Sequence, residues 1–315
     1  MSSIIKIGVS SCLLGEKVRY DGGHKHDRYI TDTLGKFFTF VPVCPEVGCG
    51  MSIPREAMRL EAQSAGIRLV TNKTGVDKTD QMLAFCRDAV RGLEREDLCG
   101  FIFKKDSPSS GLFNVKVYHK GAPAKVGRGL FADAVVQHFP LLPVEEEGRL
   151  HDMNLRENFI ERIFAYRRWK DLVQDDKTLG RLVAFHTAHK LLIMAHSPAI
   201  FREMGKLVAH GKGMPREELF TNYQELFMKA LRHHATARKN TDVLQHIAGY
   251  FKKQLTGVEK GELQEVIEDY HRRLVPLIVP VTLLKHYVKK YAEEYLAQQV
   301  YLNPTPQELM LRNHV

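Results

Sequence analysis

Over the first 145 positions, apolar residues come in short bursts separated by polar, glycine-rich stretches. Residues 4–10 and 38–43 are β-prone apolar runs, and each delivers the chain into a loop carrying cysteine. Further short runs at 67–71, 100–103, 115–118 and 141–144 also read as strands. Residues 77–96 place Met82, Phe85, Cys86, Ala89, Val90 and Leu93 at helical spacing, and 127–139 reads as a helix closed by Pro140. Strands alternating with helices predict an α/β domain built on a mostly parallel, Rossmann-like sheet covered on both faces.

The pattern changes after Glu145-Glu146-Glu147-Gly148, an acidic, glycine-containing junction. From about residue 155 apolar positions recur at helical spacing, predicting helices over 155–173, 177–195, 198–209, 216–233, 241–255, 260–274 and 281–299. Pro198, Pro215, Gly257, Pro276 and Pro280 punctuate them. The expected organisation is an α/β domain over 1–148 followed by an all-helical domain over 149–315.

In a parallel sheet, the loops after the first, second and fourth strands share one edge, where such folds bind ligands. Those loops carry Cys12, the Cys44–Cys49 turn, and Ser107-Pro108-Ser109-Ser110. All five cysteines lie in the first hundred of 315 residues, an odd number that points to metal binding or catalysis rather than disulfides. Cys12, Cys44 and Cys49 together would suit a zinc ion, with His24 or His26 as a fourth ligand, or an iron–sulfur cluster with one iron left open. Cys86 and Cys99 read as buried small residues. Glu46, two residues beyond Cys44, is placed to move protons at that site. Ser107 and Ser109 flank a proline in a turn that can aim hydroxyls at a ligand. His186 and His189 share a helix face, but no Glu follows His186 as a zinc-hydrolase motif requires. They and His196 read as packing histidines.

Composition changes this picture little. Hydrophobic residues make up 44% and charged residues 26%, as in ordinary globular proteins. The chain has no apolar run long enough for a membrane span, and its start does not resemble a signal peptide. The expectation is a cytoplasmic protein with no membrane partner. The formal charge is +9, with the larger share in the helical half. With Tyr223, Tyr250, Tyr287 and Tyr291 interspersed, that half is a candidate surface for RNA or DNA. A nucleic-acid-binding protein with a structural iron–sulfur or zinc site is therefore the alternative to an enzyme.

Three separated motifs carry a more specific signal. Ser11-Cys12-Leu13-Leu14-Gly15 with Arg19-Tyr20-Asp21-Gly22, then Val43-Cys44-Pro45-Glu46, then Ser107-Pro108-Ser109-Ser110-Gly111 resemble the motifs of the thiouracil desulfurase family, over about residues 3–145. About residues 185–315 look like the helical domain of YbgA-like proteins, on the strength of residues 241–255 and 276–315. The first resemblance implies a 4Fe–4S cluster held by three cysteines, its open iron taking sulfur from a thiolated base or thionucleoside. It implies ligands Cys12 and Cys44, an acid/base Glu46 and a catalytic Ser107. The family's third ligand is the cysteine of a Ser-Pro-Ser-Cys-Gly turn, and this chain has Ser110 there. Cys49, in the glycine turn beside Cys44 and Glu46, is the expected replacement.

Overall fold

In the computed structural model, which describes residues 4–64, 66–119, 122–174 and 176–314, the chain divides into two units, Met1–Asp152 and Met153–Val315. In the first unit the order is β1 (Lys6–Ser10), β2 (Thr39–Val43), α1 (Pro45–Gly48), β3 (Met58–Gln63), β4 (Gly66–Thr71), α2 (Thr79–Glu94), β5 (Gly100–Phe103), β6 (Val115–His119), β7 (Ala122–Gly127), α3 (Leu130–His138) and β8 (Val144–Glu146). Strands β2-β1-β5-β8 form a parallel sheet in that order. Ile7, Val9, Phe101, Ile102 and Phe103 are fully buried, as expected for central strands of a parallel sheet. Phe131 of α3 packs edge-on against Phe101 and Phe103, with ring centroids 5.8 and 6.3 Å away.

The remaining strands depart from the expectation of one sheet. They make a second sheet, β4-β3-β6-β7, from two antiparallel hairpins joined by a parallel β3–β6 pairing. The physical reason is connection length. Only residues 64 and 65 separate β3 from β4, and only 120 and 121 separate β6 from β7. Parallel neighbours need a crossover of a dozen or more residues, whereas so short a link permits only a hairpin. Of the run at 122–127 the sequence reading covers only Gly127, as a helix start; the run is strand β7, and the helix begins at Leu130.

The acidic stretch at 145–147 is buried rather than solvated. Glu145 pairs with Arg149 at 2.7 Å, Glu146 accepts hydrogen bonds from Leu112 N and Phe113 N, and Glu147 accepts from Lys105 N at 2.7 Å and pairs with Lys104. The end of β8 thus anchors the loop that follows β5.

The second unit contains α4 (Met153–Gln174), α5 (Leu179–His196), α6 (Pro198–Ala209), α7 (Arg216–Leu231), α8 (Ala237–Ala248), α9 (Gly257–His271), α10 (Ile278–Lys290) and α11 (Glu294–Ala297). Thr236 caps α8 through Lys239 N, so that helix starts before residue 241; it then gives way to a tighter turn at Gly249–Phe251. Helix α10 stops at Lys290, before the left-handed Ala292 (φ 49°), rather than running to 299. The core gathers on Trp169, which stacks on Tyr223 at 5.2 Å and meets Phe185 edge-on at 5.5 Å. His186 and His189 are buried packing groups: His186 Nδ1 lies 3.1 Å from the Tyr223 hydroxyl, and His189 Nε2 accepts from Arg168 Nε at 3.1 Å. No helix among the described residues is long and apolar enough to cross a membrane.

Trp169 is the single tryptophan, so its fluorescence reports this core. Phe227, fully buried beside it, is expected to cost about 3–5 kcal/mol of unfolding free energy when replaced by alanine, read as a lower urea midpoint of the tryptophan transition.

Candidate active site

The parallel order of β2, β1 and β5 brings three loops to one end of the sheet. A cavity of about 370 Å³ opens there, lined by Cys12, Cys44, Glu46, Ser107, Ser109 and Ser110 among others. Cys12 sits in a tight turn (Ser11–Leu14) directly after β1, its carbonyl accepting from Lys25 N at 2.9 Å. Cys44 caps the N-terminus of α1, and Pro45 begins that helix, a position where the missing N–H costs nothing. Glu46 in the first turn of α1 is turned into the cavity wall.

Both carboxylate oxygens of Glu46 are held. Oε2 accepts from Arg55 Nε at 2.8 Å and from Arg55 Nη2, while Oε1 accepts from Ser109 Oγ at 2.8 Å. Ser109 Oγ lies 3.0 Å from Ser107 Oγ, which in turn accepts from Ser110 N at 3.1 Å. The serine turn is pinned from behind, because Phe131 N at the start of α3 donates to Ser109 O at 2.9 Å. Gly129 makes this approach possible: a Cβ there would lie 2.5 Å from the Ser109 carbonyl carbon and oxygen.

The cavity also has a basic wall of Arg19, Lys25 and Lys104. Burial pushes the Cys12 thiol up to about 11, against the opposing pull of Lys104. Burial raises Cys44 as well. In the absence of a bound cation both are therefore protonated thiols at neutral pH.

The structure brings together Cys12, Cys44, Glu46 and Ser107, but not Cys49. Cys49 is absent from the residues lining the cavity; its thiol donates to Glu46 O at 3.2 Å, and its carbonyl accepts from Gln81 of α2 at 2.6 Å. Close packing of α1 on α2 explains this direction, since a Cβ on Gly48 would lie 2.4 Å from the Phe85 ring. Ser110 lines the cavity in the place where the resemblance implies a cysteine. Cys99 lies at the opposite end of β5, and Cys86 is buried in α2. His24 and His26 do not line the cavity, and His26 Nε2 is engaged with Thr31 Oγ1 at 2.9 Å. Among the described residues no group of three or more His, Cys, Asp or Glu is placed to hold a metal ion. Two of the three expected thiols face the cavity, so the donor set falls short of a three-cysteine cluster as the side chains stand. Arg55 and the Ser109 link to Glu46 went unread in the sequence. Arg55 follows the α1 turn by only a few residues, but nothing in its spacing points to Glu46.

The YbgA protein of Escherichia coli (strain K12) is 31% identical over 165 residues, which are 51% of this chain and 98% of that protein. The chain belongs to the YbgA family. Its residues 190–306 match the family described as protein of unknown function (DUF1722), and residues 7–147 match the 2-thiouracil desulfurase family. A solved [4Fe-4S]-dependent thiouracil desulfidase, TudS, is 29% identical to this YbgA-family chain, with 47% of this chain and 94% of that one covered at a TM-score of 0.39. A desulfurase-family segment followed by a YbgA-like helical segment is the order the motifs implied.

The Arg55–Glu46 pair is largely buried, with side chains 7% and 14% exposed. Replacing Arg55 by alanine leaves the carboxylate without its charge partner and is expected to cost about 1–3 kcal/mol in chemical denaturation. Arg55→Lys should recover only part, because an ammonium cannot reproduce the two-nitrogen contact.

Proposed function

We propose that the N-terminal unit is a desulfurase acting on a small thiocarbonyl compound of the thiouracil kind, at the cavity holding Cys12, Cys44, Glu46, Ser107 and Ser109. The observation that carries this reading is the Glu46–Ser109–Ser107 hydrogen-bonded chain, which lines the same cavity as two thiols. It is supported by the match of residues 7–147 to the 2-thiouracil desulfurase family.

The overall change exchanges sulfur for oxygen: a C=S group and water give C=O and hydrogen sulfide, with no net oxidation or reduction. Water must lose protons as it adds to carbon, and the departing sulfur must gain them. Glu46, oriented by Arg55, is the proton acceptor, and the Ser109 and Ser107 hydroxyls extend its reach toward the bound base. Arg19, Lys25 and Lys104 oppose the negative charge that collects on the ring and on sulfur during the exchange. The RNA partner expected for the helical half gains no support from the family matches, and the proposed substrate is the free thiolated base or thionucleoside.

Iron–sulfur dependence belongs to this proposal through the thiols. Cys12 and Cys44 are two proposed cluster ligands, and Cys49 is the third if its thiol leaves Glu46 O and turns into the cavity on loading. Anaerobic reconstitution is expected to give about four irons per chain, with loss of iron and of visible absorption in Cys44→Ser. Iron lost in Cys49→Ser assigns the third position to Cys49; full loading of that variant assigns it to the Ser110 side.

Activity is tested by hydrosulfide release from 2-thiouracil under anaerobic conditions. Glu46→Gln keeps the shape of the wall and is expected to lower turnover roughly 10²–10⁴-fold. Reconstituted wild-type protein that releases no hydrosulfide from any thiolated base would remove the proposal.

A further inference from the structure

The helical unit holds its own cavity, of about 270 Å³, between α4, α5, the start of α8, the end of α9 and the C-terminal segment. Its polar end is built on one helix face, where Glu157 and Glu161 lie one turn apart on α4. Glu161 is buried and fully engaged: Oε1 lies 2.6 Å from His196 Nε2, and Oε2 accepts from Arg312 Nη2 at 3.3 Å. Burial pushes this carboxyl up, but the His196 hydrogen bond and the charges of His196 and Arg312 outweigh it and hold Glu161 in its ionised form.

Glu157 is different. Its carboxylate stands 3.5 Å from Arg312 Nε and 3.4 Å from His314 Nε2, longer than normal hydrogen bonds. Arg312 Nη1 is used on Tyr301 O at 2.6 Å, and its ring contact is with Tyr301, but the buried Nε makes no hydrogen bond within the protein. Arg312 Nε is thus a buried donor whose nearest acceptor, Glu157, stands too far for a normal hydrogen bond, and a ligand that meets both groups would satisfy them. An apolar wall is contributed by Leu192, Ala195, Leu277 and the ring of Tyr270.

We propose that this cavity is a second small-molecule site, which takes an uncharged single-ring compound carrying adjacent N–H and C=O groups, a cyclic amide or ureide. Glu157 accepts from the ligand N–H and Arg312 Nε donates to its carbonyl, while the ring lies against the apolar wall. The size fits, because the cavity is below the roughly 300–1,000 Å³ range of sites for drug-sized ligands. The charge fits as well. Both acids are met by bases, Glu161 by His196 and Arg312, and Glu157 by Arg312 and His314. This site is independent of the desulfurase reading.

The probe is uracil, titrated calorimetrically into the full chain, with 1,3-dimethyluracil as the control that lacks the N–H. A uracil site that persists in Cys44→Ser is expected, with no binding of the dimethyl compound to it. Glu157→Leu should weaken uracil roughly ten- to hundredfold. Glu157→Gln, which keeps an acceptor, should stay within a few-fold, and Cys44→Ser should leave this affinity unchanged. Tryptophan fluorescence verifies that the helical unit is folded in each variant. The proposal is overturned by folded protein that binds no uracil, by equal binding of the dimethyl compound, or by affinity that survives Glu157→Leu. Binding that disappears in Cys44→Ser would also overturn it, placing uracil in the N-terminal cavity and leaving the desulfurase reading intact.

Discussion

A single carboxylate ties the N-terminal site together. Glu46 belongs to a one-turn helix, too short to be stable alone, yet its two oxygens bind Arg55 on one side and Ser109 on the other. Those contacts join the turn after β2, the segment leading to β3 and the serine turn after β5. Because Ser109 is also held through its carbonyl by the start of α3, the carboxylate is connected to the helical layer on the sheet. The proposed acid/base group therefore does not sit on a mobile loop. It is the junction at which three loops acquire fixed positions, and its chemistry and its structural role cannot be separated by simple deletion.

Much of this site was legible because parallel sheets impose a simple geometry. Strand-like runs ending in Cys12, Cys44 and the serine turn must share an edge once their strands are parallel neighbours, and they do. What the sequence could not convey is direction within that edge. Cys49 is five residues from Cys44, yet the packing of Gly48 on Phe85 turns it toward α2. The partner of Glu46 on the serine turn lies 63 residues away, a separation no local pattern encodes. The second sheet was misread for a related reason: short apolar runs identify strands but not their partners, and here link length decided the pairing.

The helical unit shows the same division. Its helices, and the buried His186 and His189, follow from periodicity. The spacing of Glu157 and Glu161 is visible too, but two acids one turn apart normally describe a solvated helix face. What makes them interior groups is Arg312, 151 residues from Glu161, arriving from a segment with little regular structure. Buried charge of this kind is tolerated only when its partner is delivered by the tertiary fold, so it cannot be recognised before the fold is known.

The burial of Glu147 gives the end of the first unit an unexpected duty. The chain emerges from β8 already fastened to Lys104 and Lys105, the residues that begin the loop carrying the serine turn. The exit of the polypeptide is thus a tether on the basic wall of the cavity. Because Lys104 lines the pocket and Glu147 holds it, the seating of this short strand fixes one side of the pocket rather than merely bordering it.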